Sequence, residues 1–404
     1  MDIVILGGGI SGLSAAWYGK KQHPEANVIV LEREEVLGGW MQTRHEEGFL
    51  FEKGPRTFQA ARCPHLLELI EEMGLSKDLI FSDPLAAKRY VLHQGKLKAV
   101  GSFWLSIAFA LLRSFFVKKG VLDDESIYDF SVRRFGKAMT ETLVDALAIG
   151  IFAGDIKKLS IRSCFPFLLR WEQNKGSFAV NLLTSRSKGV PKGLFTLREG
   201  MGSLIAALAH QSGAQVICGA KVEAIEKRGV WAGGRFYLAD RIISALPGNV
   251  LSPLLGVACP FEMTDFSIAH LGFEGDLLPR KGFGYLVPTR EKEILLGMIW
   301  DSSVFPQQNQ GTQTRVSAML RRGGLAEAKE AMARHLGVTA EPVFSACATG
   351  TIPQFTVGYE KRLEIFRREV LEKYPTLRLA GNYLVGASIE ACVSLSKRVV
   401  KSLL

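Results

Sequence analysis

The stretch Asp2–Lys21, DIVILGGGISGLSAAWYGKK, decides how the rest of the chain is read. DIVIL is a short run rich in β-branched residues, the next segment sets Gly7, Gly9 and Gly12 in G-x-G-x-x-G spacing, and LSAAWYGKK reads as a helix. In a strand, turn and helix of this kind the glycines let the backbone turn tightly and approach a pyrophosphate, whose charge faces the first amides of the helix. A second strand, NVIVLE, ends at Glu32, 20 residues beyond Gly12. A carboxylate there accepts hydrogen bonds from adenosine ribose hydroxyls and disfavours a ribose 2′-phosphate. The unit predicts a dinucleotide-binding α/β core.

The residues after Glu32 select the dinucleotide. LEREEVLGGW places Gly38 and Gly39 where a second loop passes close to the pyrophosphate and ribityl chain of an extended FAD, with Trp40 closing the run, and FLFEKGPRTF at 49–58 reads as a further strand and turn. This opening resembles that of the large FAD-dependent amine oxidase and desaturase superfamily.

Composition bounds the alternatives. The chain has 404 residues, 47% hydrophobic and 22% charged, which suits a folded protein with room for more than one core and excludes wholesale disorder. Its six cysteines (63, 164, 218, 259, 347, 392) include no C-x-x-C pair, so neither a disulfide framework nor a zinc site is expected, and a reducing compartment is. MDIVILGGG runs straight into a strand without a basic or apolar leader, so no targeting signal is seen.

The net charge of +10 is local: residues 86–200 hold 19 of the 50 Lys and Arg but 9 of the 40 Asp and Glu, leaving the remainder balanced. Ala86–Leu122 carries seven bases and no acid, which points to an anionic surface or substrate. No nucleic-acid module accompanies it, so no nucleic-acid partner is expected. Inside this segment Ala99–Leu112, AVGSFWLSIAFALL, is uncharged and too short to span a bilayer, which takes roughly 20 apolar residues. Flanked by Lys96, Lys98, Arg113, Lys118 and Lys119 and carrying Phe103, Trp104, Phe109, Phe115 and Phe116, it reads either as an interfacial helix on anionic lipid or as a buried helix with solvated ends.

Further along, the chain carries GIFAGDIKKLSIRSCFP (150–166), LREGMGSL (197–204), IISALP (242–247), KGFGYLVP (281–288), WDSSVFPQQ (300–308), IPQFTVGY (352–359) and LAGNYLVGASIEACV (379–393). In order and spacing, from end to end, the chain resembles the oxygen-dependent protoporphyrinogen oxidases. The resemblance implies an FAD enzyme that takes six electrons from protoporphyrinogen IX, passes them to molecular oxygen and works in haem biosynthesis. Coproporphyrinogen III, with four propionates where protoporphyrinogen IX has two, is the alternative substrate, and a flavin oxidase of amines or polyenes or a non-catalytic FAD scaffold are the other classes weighed.

Residue by residue, the resemblance implies that Arg89 pairs with a substrate propionate, that Phe283 and Leu286 hold the faces of the macrocycle, and that Met319 lines the same pocket. Ala153 and Gly154 match a turn whose backbone approaches the macrocycle opposite the flavin. Gly381, Ala387, Ser388 and Ile389 match flavin contacts, and Val222 a main-chain contact to the adenine. The chain departs from its relatives at Ala387, where Val is commoner, and at Glu360, where some carry an aromatic. No metal site is expected, because the seven histidines are scattered, and no catalytic side chain is expected beyond the flavin. The implied partners are an anionic membrane surface, a second copy of the chain in a homodimer, and haem-pathway neighbours, with the protein in the cytoplasm at the inner face of a membrane.

The expected fold class is α/β. A discontinuous Rossmann-like FAD-binding domain (1–85, 194–252 and 362–404) joins a mixed-sheet substrate domain (86–96 and 253–361) and a helical membrane-binding insertion (97–193).

Overall fold

Strands drawn from both ends and the middle of the chain meet in one five-stranded parallel sheet, in the order 215–217, 27–31, 2–6, 241–244, 377–379. The computed structural model that shows this describes residues 1–117, 120, 122–173 and 193–403, with the side chain of Phe115 excepted. Lys118, Lys119 and residues 174–192 of the expected insertion lie outside the described residues.

Apolar residues on both faces make this sheet a buried layer. Ile3, Ile5, Val28, Val30 and Ile243 face one core with the helices Ile10–Gln22, Gly202–Gln211 and Ile389–Lys401. Val4, Leu6, Leu31 and Ile242 face the other, with Val222 and Val230 of a small antiparallel sheet and Tyr359, Phe366 and Val370 of helix Tyr359–Lys373. Alternation along each strand sends successive side chains into opposite cores.

The second layer is a seven-stranded sheet in the order 344–354, 262–274, 313–320, 295–299, 284–286, 89–93, 96–99, parallel between 284–286 and 89–93 and otherwise antiparallel. Helix Leu325–Leu336 covers one face through Ala328, Ala331 and Met332. Helix Asp145–Phe152 meets the other, where Ile149 and Ala153 pack with Met319, Phe266 and Ile352.

One boundary differs from the expectation. The helical segment does not begin at 97, because Lys96–Ala99 is the edge strand of the large sheet, bonded to Tyr90–His93. Lys96 and Lys98 obey a two-residue alternation that their basic character concealed.

Candidate functional site

The glycine cradle is built by steric exclusion. A Cβ on Gly12 would lie 1.9 Å from the carbonyl oxygen of Gly7, and Gly7 itself holds a φ of +101°. The first helix starts at Ile10 with no side-chain cap and no acid in its first turn, so its amides are offered to an outside anion. The second glycine loop lies against the first: Gly38 donates its N–H to the Gly8 carbonyl at 2.9 Å, and Gly9 and Gly38 form an isolated parallel bridge. Gly39 follows, 3.7 Å from Gly9 Cα at its own Cβ position.

Glu32 is buried at the end of its strand, where Oε2 accepts from Gly8 N–H (2.7 Å) and Oε1 from Glu34 N–H (3.0 Å). Its backbone oxygen accepts from Ala220 N–H (2.8 Å), which brings Val222, two residues on, to the same end of the sheet. The carboxyl ends of the central strands align there too. A Cβ on Gly7 would touch the Ala245 carbonyl at 3.4 Å, and one on Gly381 would come within 3.9 Å of the Leu246 carbonyl oxygen. Open parallel sheets bind ligands in this crevice. The free amides, the absence of Cβ atoms and the single buried carboxylate fit an adenine dinucleotide.

Trp40 leaves the cradle for the other layer, its indole stacking on Phe266 at 5.4 Å and lying over Gly350, where any Cβ would meet the ring at 1.7 Å. From the C-terminal side, Gly386 (φ +94°) turns the chain through Ala387 into Ser388, which caps the terminal helix beginning at Ile389. That helix is tied back to the first one by Ser396, whose hydroxyl donates to the Ser11 carbonyl at 2.8 Å.

Strand register brings most of the expected substrate residues together. Leu286 lies opposite Gly297, Gly297 opposite Met319, and Met319 opposite Ile268, so all four share one face of the large sheet. Arg89 lies opposite Gly284, two residues before Leu286, and so joins the same face. Its guanidinium is 5.1 Å from the centre of the Phe283 ring. Leu286, Met319, Phe283 and Phe266 are only half-buried, which leaves an apolar strip partly open.

Opposite the strip, helix Asp145–Phe152 ends at Ala153 in the left-handed conformation (φ +51°), and Gly154 leaves no room for a Cβ beside Gln354 Oε1. Gln354 fixes the turn by donating from Nε2 to the Phe152 carbonyl at 2.9 Å. The structure adds Gly150, at which a Cβ would meet Leu286 at 2.5 Å. A glycine inside an otherwise helical run is the signal that could have found it.

A buried polar network further along this face also escaped sequence reasoning. Arg56 of GPRTF pairs with Asp301 (3.1 Å) and donates to Ser317. The Ser317 hydroxyl donates to Asp301 Oδ2 (2.6 Å) and contacts His270 Nδ1 (2.8 Å). Burial beside Arg56 pushes the His270 imidazole down to about 3, so it is neutral at pH 7. Nearby, burial holds the Glu52 carboxyl up at about 7, although it accepts from Met201 N–H (2.6 Å) and Thr43 Oγ1 (2.9 Å). Among the described residues no group of three or more His, Cys, Asp or Glu could hold a metal ion.

A family model for flavin containing amine oxidoreductases matches residues 10–404. Protoporphyrinogen oxidase of Bos taurus is 31% identical over 469 aligned positions, covering 100% of this chain and 98% of that protein. Coproporphyrinogen III oxidase of Bacillus subtilis (strain 168) is 26% identical, covering 100% and 97%. A solved structure from Exiguobacterium sp. 255-15, assigned as a protoporphyrinogen oxidase, superposes with a TM-score of 0.86 at 24% identity, covering 100% and 98%. The cradle, the two-layer fold and these full-length likenesses agree, and the chain belongs to the flavin containing amine oxidoreductases and, among them, to the protoporphyrinogen oxidase family.

Proposed function

We propose that this FAD enzyme oxidises protoporphyrinogen IX to protoporphyrin IX. The observation that carries the reading is the shared sheet face of Arg89, Leu286 and Met319 opposite the small-residue turn Ala153–Gly154. A flat, apolar, dianionic macrocycle suits a face of this kind. Arg89 offers a two-pronged guanidinium to a propionate, Phe283 and Leu286 grip the ring, and Met319 fills an irregular gap. Ala153 and Gly154 allow close approach from the other side.

FAD would be held by Gly7, Gly9, Gly12, Glu32, Gly38 and Gly39, with Val222, Gly381 and Ala387–Ile389 as further contacts, and would supply the hydride acceptor. The chain's part is to orient the macrocycle and exclude water. In each of three rounds the macrocycle gives up a hydride and a proton, and one dioxygen takes both as hydrogen peroxide. Purified protein given protoporphyrinogen IX under air should yield porphyrin fluorescence and three peroxides per porphyrin; no porphyrin above the uncatalysed rate overturns the reading.

Coproporphyrinogen III is the second reading, favoured by the Bacillus subtilis relative and by the basic surplus at 86–200. Additional propionates need additional cations, because an unpaired charge in a closed pocket is costly. Competition between the two porphyrinogens decides between them.

The membrane reading rests on helix Trp104–Phe116. Trp104, Leu105, Phe109, Leu112 and Phe116 are all more than half exposed. Ala110 and Ser114 are buried, and Arg134, paired with Glu172, donates to the carbonyls of Ser114 (3.0 Å) and Val117 (3.2 Å). The helix is thus held from behind with its apolar side outward, next to a groove of about 360 Å³ lined by Phe109, Leu112, Arg113, Phe116 and Val117. Aromatic and basic side chains in this arrangement suit insertion into anionic headgroups. No described helix is long and apolar enough to cross a membrane. We place the protein peripherally on the inner face of a membrane.

A further inference from the structure

The terminal helix has to aim its first turn accurately if residues 387–389 are to meet the flavin. Three side chains tie that helix to its neighbours. Ser396 bonds the first helix, and Lys397 pairs with Glu68 of helix Pro64–Glu72 at 2.7 Å. The third, Glu390, is the only one of these adjoining the turn itself.

Helix Pro64–Glu72 begins with no side-chain cap from Cys63 and no acid in its first turn. Glu390 supplies both from the far end of the sequence. Its Oε2 accepts from Leu66 N–H at 2.8 Å, while Oε1 accepts from His65 N–H at 3.1 Å and meets His65 Nδ1 at 2.6 Å. Three contacts to one carboxylate, only 15% exposed, fix it in position and direction. The carboxylate also sits between two positive helix ends, its own and that of Pro64–Glu72.

We infer that Glu390 is a positioning residue for the flavin-facing turn Gly386–Ile389: by capping a neighbouring helix it sets where the first amides of the terminal helix point. The inference rests on the reading that this turn contacts the flavin. A general packing role would be shared with Lys397, which joins the same two helices seven residues further on. A positioning role belongs to Glu390 alone.

The test compares Glu390→Gln with Lys397→Met in the purified full-length protein, measuring the FAD dissociation constant, the visible spectrum of the bound flavin at saturating FAD, and Tm. Glu390→Gln keeps the shape but loses charge and one acceptor; it should weaken FAD binding about tenfold, because a misaimed turn forfeits roughly one hydrogen bond to the flavin, and shift the flavin spectrum. Lys397→Met should lower Tm and leave affinity and spectrum as in wild type. Wild-type affinity and spectrum in Glu390→Gln, or equal losses in both variants, overturn the inference. Should Glu390→Gln fail to fold, His65→Ala, which removes one contact of three, should change affinity and spectrum in the same direction, and no change there overturns it as well. Gly386→Ala, strained at φ +94°, tests the underlying reading separately. A folded Gly386→Ala protein with an unaltered flavin refutes the placement of the turn; an altered flavin there with none in Glu390→Gln refutes the role of Glu390 alone.

Discussion

Arg56 and Asp301 lie 245 residues apart in the chain and form an ion pair at 3.1 Å, with side chains 8% and 10% exposed. The pair joins the loop after the glycine cradle to the end of the large sheet, so it fixes the two layers of the site against each other. Desolvating both charges offsets much of their attraction, and Ser317 supplies the extra hydrogen bonds that keep the pair satisfied. Asp301→Ala strands a buried guanidinium and should cost about 3–5 kcal/mol in urea unfolding, with part of the loss recovered when Arg56→Met is added. Equal stability of Asp301→Ala and wild type would remove the pair from this role.

Gly12→Ala should abolish FAD binding. The added methyl would lie 1.9 Å from the Gly7 carbonyl, backbone that cannot yield without opening the cradle. Absorbance of the purified variant near the flavin bands checks this directly; full FAD occupancy would mean that the cofactor lies elsewhere.

Arg89→Ala should raise KM and lower kcat/KM by about 1.5–3 kcal/mol, the range for a charged hydrogen bond, with FAD content unchanged. Because the guanidinium rests on Phe283, Phe283→Ala should produce a smaller loss of the same kind. Wild-type kinetics in Arg89→Ala would refute the propionate assignment.

Two buried groups should give the stability opposite slopes with pH. Glu52 titrates near 4.5 when unfolded and at about 7 when folded, so it costs stability progressively as pH rises through that window. His270 titrates near 6.5 unfolded and at about 3 folded, so its contribution is present above 6.5 and lost as pH falls toward 3. Glu52→Gln should match wild type at pH 4 and exceed it at pH 8 by up to roughly 3 kcal/mol. A difference that stays constant from pH 4 to pH 8 in urea midpoints would show that Glu52 ionises normally.

Phe109→Ser with Phe116→Ser should lower flotation with anionic liposomes severalfold while leaving turnover of soluble substrate intact, since both side chains point away from the packed core. Added salt should weaken the wild-type interaction as well. Undiminished flotation of the double variant would place the membrane contact on another surface.

The glycine cradle and its acidic strand end were legible in the sequence because everything they need lies within about 35 residues: alternating apolar residues, a sharp turn, and glycines whose missing side chains are a steric requirement of the backbone itself. Helix starts such as Ile10 and Ile389 follow from the same short-range rules. The candidate substrate residues were legible only through resemblance, since half-buried apolar residues such as Leu286 and Met319 look like any core strand in isolation.

Helix Trp104–Phe116 shows where local rules stop. Its periodicity defines an apolar stripe, which fits a core helix and an interfacial one equally well, and only the packing of Ala110 and Ser114 against the chain behind it leaves Trp104, Phe109 and Phe116 facing outward. Local sterics and periodicity therefore determined the dinucleotide cradle. The tertiary structure decided the rest: Arg89 over Phe283, Glu390 on the amides of His65 and Leu66, and Arg56 against Asp301. Each of these depends on which distant segments share a register or a helix end, and the desolvation of a polar group, which sets its preferred partner, exists only once both segments are folded together.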